Sequence, residues 1–147
     1  MVQWTEEERH HIQEIFSKLP ISDVGPDCLR RLFLKCKWTQ RYFKGFGDLS
    51  NEHAICNNAH VNAHGIKVVT ALCEAAKHLD DLKGHFANLS KHHCQTLHVD
   101  PANFPILAAV LMVSLCIFCP KSMTPECQKS ITKFFHVTCE ALGSKYT

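Results

Sequence analysis

Between Phe104 and Cys119 the chain reads FPILAAVLMVSLCIFC, without one charged side chain. A run like this has to be covered by the rest of the protein, by another subunit or by lipid. It is shorter than the roughly 20 apolar residues a membrane-spanning helix needs, and Pro105 stands near its start, so no membrane span is expected. A helix that is apolar nearly all round is a central core helix, or one that also faces another subunit. The chain has 147 residues, 46% hydrophobic and 20% charged. That is enough for one domain with a sizeable core, and the composition is globular rather than disordered.

The elements around that run read as helices. Sustained two-residue alternation is absent, as are Asn-Gly and Asp-Gly hairpin turns. Thr5 and Glu8 form a capping box for a first helix ending near Pro20. Pro26 is expected to open the next, with Cys28, Leu29, Leu32, Phe33 and Cys36 at helical spacing. Residues 44–53 form a glycine-containing loop. A long helix is expected from about Asn57 to His78 and another from about Gly84 to Gln95. Asp100 should cap the apolar helix, with Pro101 in its first turn. Thr124-Pro125-Glu126 starts the last helix, which stops near Gly143. The expectation is one all-α domain of six to eight helices over residues 1–147.

Charge and cysteine usage exclude several functions. Sixteen basic and 14 acidic residues give +2 and are scattered, so no basic stripe for nucleic acid exists. The polar, acidic start VQWTEEERHH holds no signal peptide. Nine cysteines lie mostly within apolar helical patterns and read as reduced, buried thiols of a cytosolic protein. Cys116 and Cys119 make a C-x-x-C, but neither a βαβ context nor a second ligand pair accompanies it.

Helical phase singles out two histidines. Leu82, Phe86, Leu89 and His93 share one face, while Asp81, His85, Asn88 and His92 share the solvent-facing one. His93 therefore points inward and His92 outward. On the preceding helix, Val61, His64, Gly65, Val68, Leu72 and Ala76 line one face, and Gly65 permits close approach of another backbone. Burying an imidazole without a partner costs roughly 1–3 kcal/mol. Each of the two is either satisfied by a backbone carbonyl or directed at a ligand. A zinc site using His60 and His64 lacks a third ligand, and His60 lies toward the polar flank. A large apolar cofactor carrying its own metal fits better.

The phrases KWTQRYFKGFGDLS (37–50), VNAHGIKVV (61–69), LHVDPANF (97–104) and the terminal SKYT are similar to those of the globin family, and most closely resemble β chains of fish haemoglobins. The resemblance covers nearly the whole chain. It implies a globin fold around haem b, reversible O2 transport rather than catalysis, and an α2β2 tetramer with haemoglobin α chains in the red-cell cytosol. It makes His93 the proximal iron ligand, His64 the distal histidine and Val68 the apolar neighbour of the oxygen site. Phe43 and Phe46 would line the ring, Lys67 would stand near a haem propionate, and Leu89, Leu97, Val99, Phe104, Leu107 and Leu142 would complete the wall. The other ring nitrogen of His93 should meet a backbone carbonyl. Trp38, Arg41, His98, Asp100 and Asn103 would meet the α chain of the other dimer, and Tyr146 would direct its hydroxyl to the Val99 carbonyl. Other readings are a zinc-site helical enzyme, a cofactor-free interaction module, and a homo-oligomeric or sensing globin.

The chain departs from that family in places. Thr147 stands where a C-terminal histidine is usual, and Gln95 where its acidic partner is, so a small β-chain Bohr effect is expected. For organic phosphate, Val2 (its α-amino group, if Met1 is removed) and Lys83 remain, but Gln3 and Ser144 are uncharged, and weak sensitivity is expected. Cys36 and Lys37 replace a common Tyr-Pro, and Cys94 matches a reactive cysteine of many members.

Overall fold

The computed structural model describes residues 2–146. Eight α-helices run α1 (Glu6–Lys18), α2 (Ile21–Lys35), α3 (Glu52–Cys56), α4 (Ala59–Ala75), α5 (Leu82–His85), α6 (Ala87–Lys91), α7 (Asn103–Phe118) and α8 (Pro125–Gly143), with no strand among the described residues. Lys37–Phe46 and Leu79–Asp81 are 3-10 segments, and His92–Leu97 is a π-helix. No helix of the described residues is long and apolar enough to cross a membrane.

Local capping sets several ends. Thr5 Oγ1 accepts from Glu8 N at 3.1 Å while Glu8 Oε1 accepts from Thr5 N at 2.8 Å, the reciprocal box the sequence requires. Asn58 caps α4 by accepting from His60 N and Val61 N. Thr124 caps α8, Pro125 takes its first turn, and the helix ends at Gly143 as expected.

Several boundaries differ from the sequence expectation: the 3-10 segment and α3 reach into the expected 44–53 loop, α4 is shorter than the expected 57–78, and three further differences have a local cause. Pro26 does not open α2; the helix begins at Ile21, behind Pro20. Pro26 has no N–H to give the Ser22 carbonyl, and Ser22 is exposed, where water can take that bond. Asp100 makes a turn one step ahead of α7, its Oδ1 accepting from Ala102 N at 2.9 Å, so Pro101 sits in that turn rather than in the helix. The expected helix Gly84–Gln95 is broken at Phe86 (φ −94°, ψ 3°) and turns into the π segment after Lys91.

Packing centres on the crossing of α2 and α4. Gly25 and Gly65 meet there backbone to backbone: a Cβ on Gly65 would lie 2.1 Å from the Gly25 carbonyl oxygen. The partner for Gly65 is thus Gly25. One apolar cluster joins α1, α4, α7 and α8 through Ile12, Phe16, Val69, Leu115, Ile131 and Phe134. A second, of Leu29, Leu32, Phe33, Ile55 and Val61, supports the 3-10 segment through Phe43 and Phe46. Trp4 Nε1 donates to the Leu79 carbonyl at 2.9 Å and anchors the N-terminus.

Candidate functional site

Between α4 and the π segment lies a cavity of about 350 Å³, and beside it, deeper, one of about 130 Å³. Val68, His93, Phe104 and Leu107 line both, so the two are lobes of one space. His64 and Val68 come from α4, and Phe43 and Phe46 from the 3-10 segment. Leu97 and Val99 lie at the outer lobe; Leu89 and Leu142 close the inner one. Leu89 and Leu97 are 37% and 44% exposed because they face this open space rather than the packed core. Lys67 is exposed and absent from both linings.

The two inward histidines face this space differently. His93 Nδ1 is 2.8 Å from the Leu89 carbonyl oxygen. A carbonyl only accepts, so Nδ1 carries the proton and, in the neutral ring, Nε2 presents a lone pair. The ring stands edge-on to Phe104, centroids 5.4 Å apart. His64 sits edge-on to Phe43 and Phe46, at 5.4 and 5.6 Å. Burial, with Lys67 and His93 adding like charge, holds its pKa below the ordinary 6.5, so it is neutral at physiological pH. His85, Asn88 and His92 are exposed. His92 nonetheless reaches the rim of the outer lobe.

Sequence reasoning missed several lining residues. Leu29, Leu32, Thr39 and Tyr42 line the outer lobe, and Ala71, Leu72, Thr138 and Cys139 the inner. Their helical phase marks them only as core. Ser90 was also missed: its hydroxyl donates to the Leu142 carbonyl at 2.6 Å and accepts from Lys145 N at 3.1 Å, tying α6 to the C-terminus. A small polar residue four positions after the buried Phe86 was its only signal.

Around the corner after the π segment, Tyr146 Oη donates to the Val99 carbonyl at 2.5 Å. Asn103 Nδ2 donates to Asp100 O at 3.0 Å and to Tyr42 Oη at 3.3 Å. Arg41 Nε donates to the Trp38 carbonyl at 3.2 Å and its guanidinium lies over Tyr42. Trp38, Arg41, His98 and Asp100 are exposed, and His98 is in the left-handed region (φ 52°). Val2 and Lys83 line a separate open cavity together with Asp80, Asp81, Glu140 and Ser144. Thr147 lies outside the described residues.

The donor set decides what the main cavity fits. Among the described residues no three His, Cys, Asp or Glu side chains converge to hold a bare metal ion. His60 is exposed and stacks on Phe46, away from a shared site with His64. All nine cysteines are free thiols, Cys28 and Cys139 pushed by burial up to about 12 and about 11. One imidazole with a free nitrogen, a neutral imidazole on the other wall and apolar side chains between them fit a flat apolar ring that brings its own metal, which is haem. In sequence, the globin family model matches residues 26–142. The hemoglobin subunit beta of the fish Silurus asotus is 47% identical over 147 residues, covering 99% of this chain and 99% of that protein.

Proposed function

Because this chain belongs to the globin family, we propose that it carries haem b and transports O2 reversibly, without catalysis, as the β subunit of a haemoglobin α2β2 tetramer in the red-cell cytosol. The observation that carries this reading is the His93 Nδ1 bond to the Leu89 carbonyl, which leaves Nε2 free to act as a ligand on an apolar cavity. When bound, haem supplies the iron at which O2 is taken up and released. His93 would hold that iron, and its carbonyl partner fixes the ring and its tautomer. His64, neutral, offers an N–H to a polar ligand on its side, worth roughly 1.5–3 kcal/mol if the ligand is partly charged. Val68, Phe43, Phe46, Leu97, Val99 and Phe104 exclude water from the space between.

Trp38, Arg41, His98, Asp100 and Asn103 form the face we assign to the α chain, with Tyr146 bracing the corner behind it. The exposure of Trp38 supports this role, because an exposed tryptophan is a typical anchor of an interface. Lys83 and, once Met1 is removed, the α-amino group of Val2 are the residual cations for organic phosphate. Asp81 and Glu140 on the same cavity offset them, while Asp80 is paired with Arg9, which supports weak binding. Gln95 cannot form a proton-linked ion pair, which supports a small β-chain Bohr effect. A visible spectrum of the haem-loaded chain tests the main reading. After reduction, a Soret band that moves on adding O2 or CO is expected; haemin that keeps the spectrum of the free compound in the protein's presence refutes it.

A further inference from the structure

Haem is apolar over most of its area but carries two carboxylates on one edge. Those charges cannot enter the apolar lobes and must lie at the mouth, near water and a donor. The donors on the outer lobe are few. Thr39 Oγ1 already donates to the Cys36 carbonyl at 2.6 Å. Asn103 Nδ2 is used by Asp100 O and Tyr42 Oη. His93 Nδ1 is used by Leu89 O, and His64 stands between two phenyl rings. Lys67, the cation that the globin resemblance puts near a propionate, is on neither lining.

His92 remains. Its side chain is exposed, lines the outer lobe and has no hydrogen bond to the described residues. The π segment begins at this residue, and its wider turn sets consecutive side chains at a smaller angle than an α-helix does. His92 and His93 therefore reach the same cavity, centroids 6.2 Å apart and rings nearly perpendicular. One ring points into the space while the other stands at its rim. We infer that His92 donates an imidazole N–H to a haem carboxylate at the cavity mouth and so helps retain the cofactor. A neutral ring suffices for this bond. The inference rests on the haem reading above.

The test uses the full chain loaded with haemin or with haemin dimethyl ester, and follows transfer to an excess of a scavenging apoglobin. With haemin, H92L should release the cofactor roughly tenfold faster than the unaltered chain, the scale of one hydrogen bond to a charged group. H92Q, which keeps an N–H donor, should recover most of the difference. With the dimethyl ester, whose carbonyl accepts only a weaker, neutral hydrogen bond, the difference between H92L and the unaltered chain should shrink to about threefold or less. Equal rates with haemin overturn the inference, as does an equal acceleration with the ester, which would mean packing rather than the carboxylate. An acceleration in K67L but not H92L overturns it in favour of Lys67. Haemin that keeps its free-solution spectrum with the unaltered chain removes the haem reading itself, and the inference with it.

Discussion

The Gly25–Gly65 crossing makes a quantitative prediction. In G65A the new methyl would lie 2.1 Å from the Gly25 carbonyl oxygen, 2.5 Å from its carbon and 2.9 Å from Pro26 N. All three are backbone atoms, and none is the flexible end of a side chain. Relief requires α2 and α4 to part, against the largest helix contact of the fold. Overpacking of this kind costs about 1–3 kcal/mol, and two facing backbones put it at the upper end. Alanine's greater helix propensity returns about 1 kcal/mol. The net expectation is a loss of about 2 kcal/mol, or about 4–8 °C in Tm for a chain of this length. Thermal unfolding of the CO-loaded protein, followed by far-UV circular dichroism, measures it. G143A is the control: nothing lies within 4 Å of a Cβ there, so it should be neutral or slightly stabilising. His64 adjoins Gly65, so G65A should also alter the Soret band of the CO form. A G65A protein as stable as the unaltered chain would refute the reasoning.

Other expectations concern charge and tail contacts. Thr5 N and Lys133 hold the Glu8 carboxyl below its ordinary value of 4.5. A depressed carboxyl contributes stability above its unfolded pKa and loses it as pH falls through the folded one. E8A should therefore cost about 1 kcal/mol at neutral pH, and its urea midpoint should converge with that of the unaltered chain as the pH drops below about 4. Y146F removes the bond to the Val99 carbonyl, worth about 1 kcal/mol, and should raise oxygen affinity in the assembled tetramer; an unchanged oxygen equilibrium curve would count against the assigned role. In oxygen equilibria between about pH 6.5 and 8, little of any Bohr shift should trace to this chain. ATP added to the stripped tetramer should lower oxygen affinity only slightly, and a large fall would contradict the balance of charges around Val2 and Lys83.

What the sequence discloses follows the range of the forces involved. The Thr5–Glu8 box, the Thr124 cap and the end of α8 are settled within a few residues, and reading them needs no tertiary structure. A proline commonly opens a helix, but the carbonyl that Pro26 leaves without a donor belongs to an exposed residue, Ser22, so the helix can run through it. The segment after Leu82 has apolar spacing suited to one helix. It is broken among ties that reach far along the chain: Ser90 to Leu142 and Tyr146 to Val99, 52 and 47 residues apart. No local period encodes these. Phase correctly turns His93 inward, yet His92 also reaches the rim, because phase arithmetic assumes an α-helix and the segment is a π-helix. The lining contributed by Leu29, Leu32 and Tyr42 depends on where α2 crosses α4, which Gly65 announces without naming Gly25.

Helix α7, whose uncharged sequence opened the question of the fold, leaves Val113 and Ile117 46% and 47% exposed with Phe118 beside them. Most of the run is absorbed by the core, but this stripe is not. If the proposed α partner covers this stripe, a chain made in excess of that partner would carry it bare, and such surface drives aggregation. Solubility would then be a matter of stoichiometry, set by the ratio of the two chains rather than by either sequence alone.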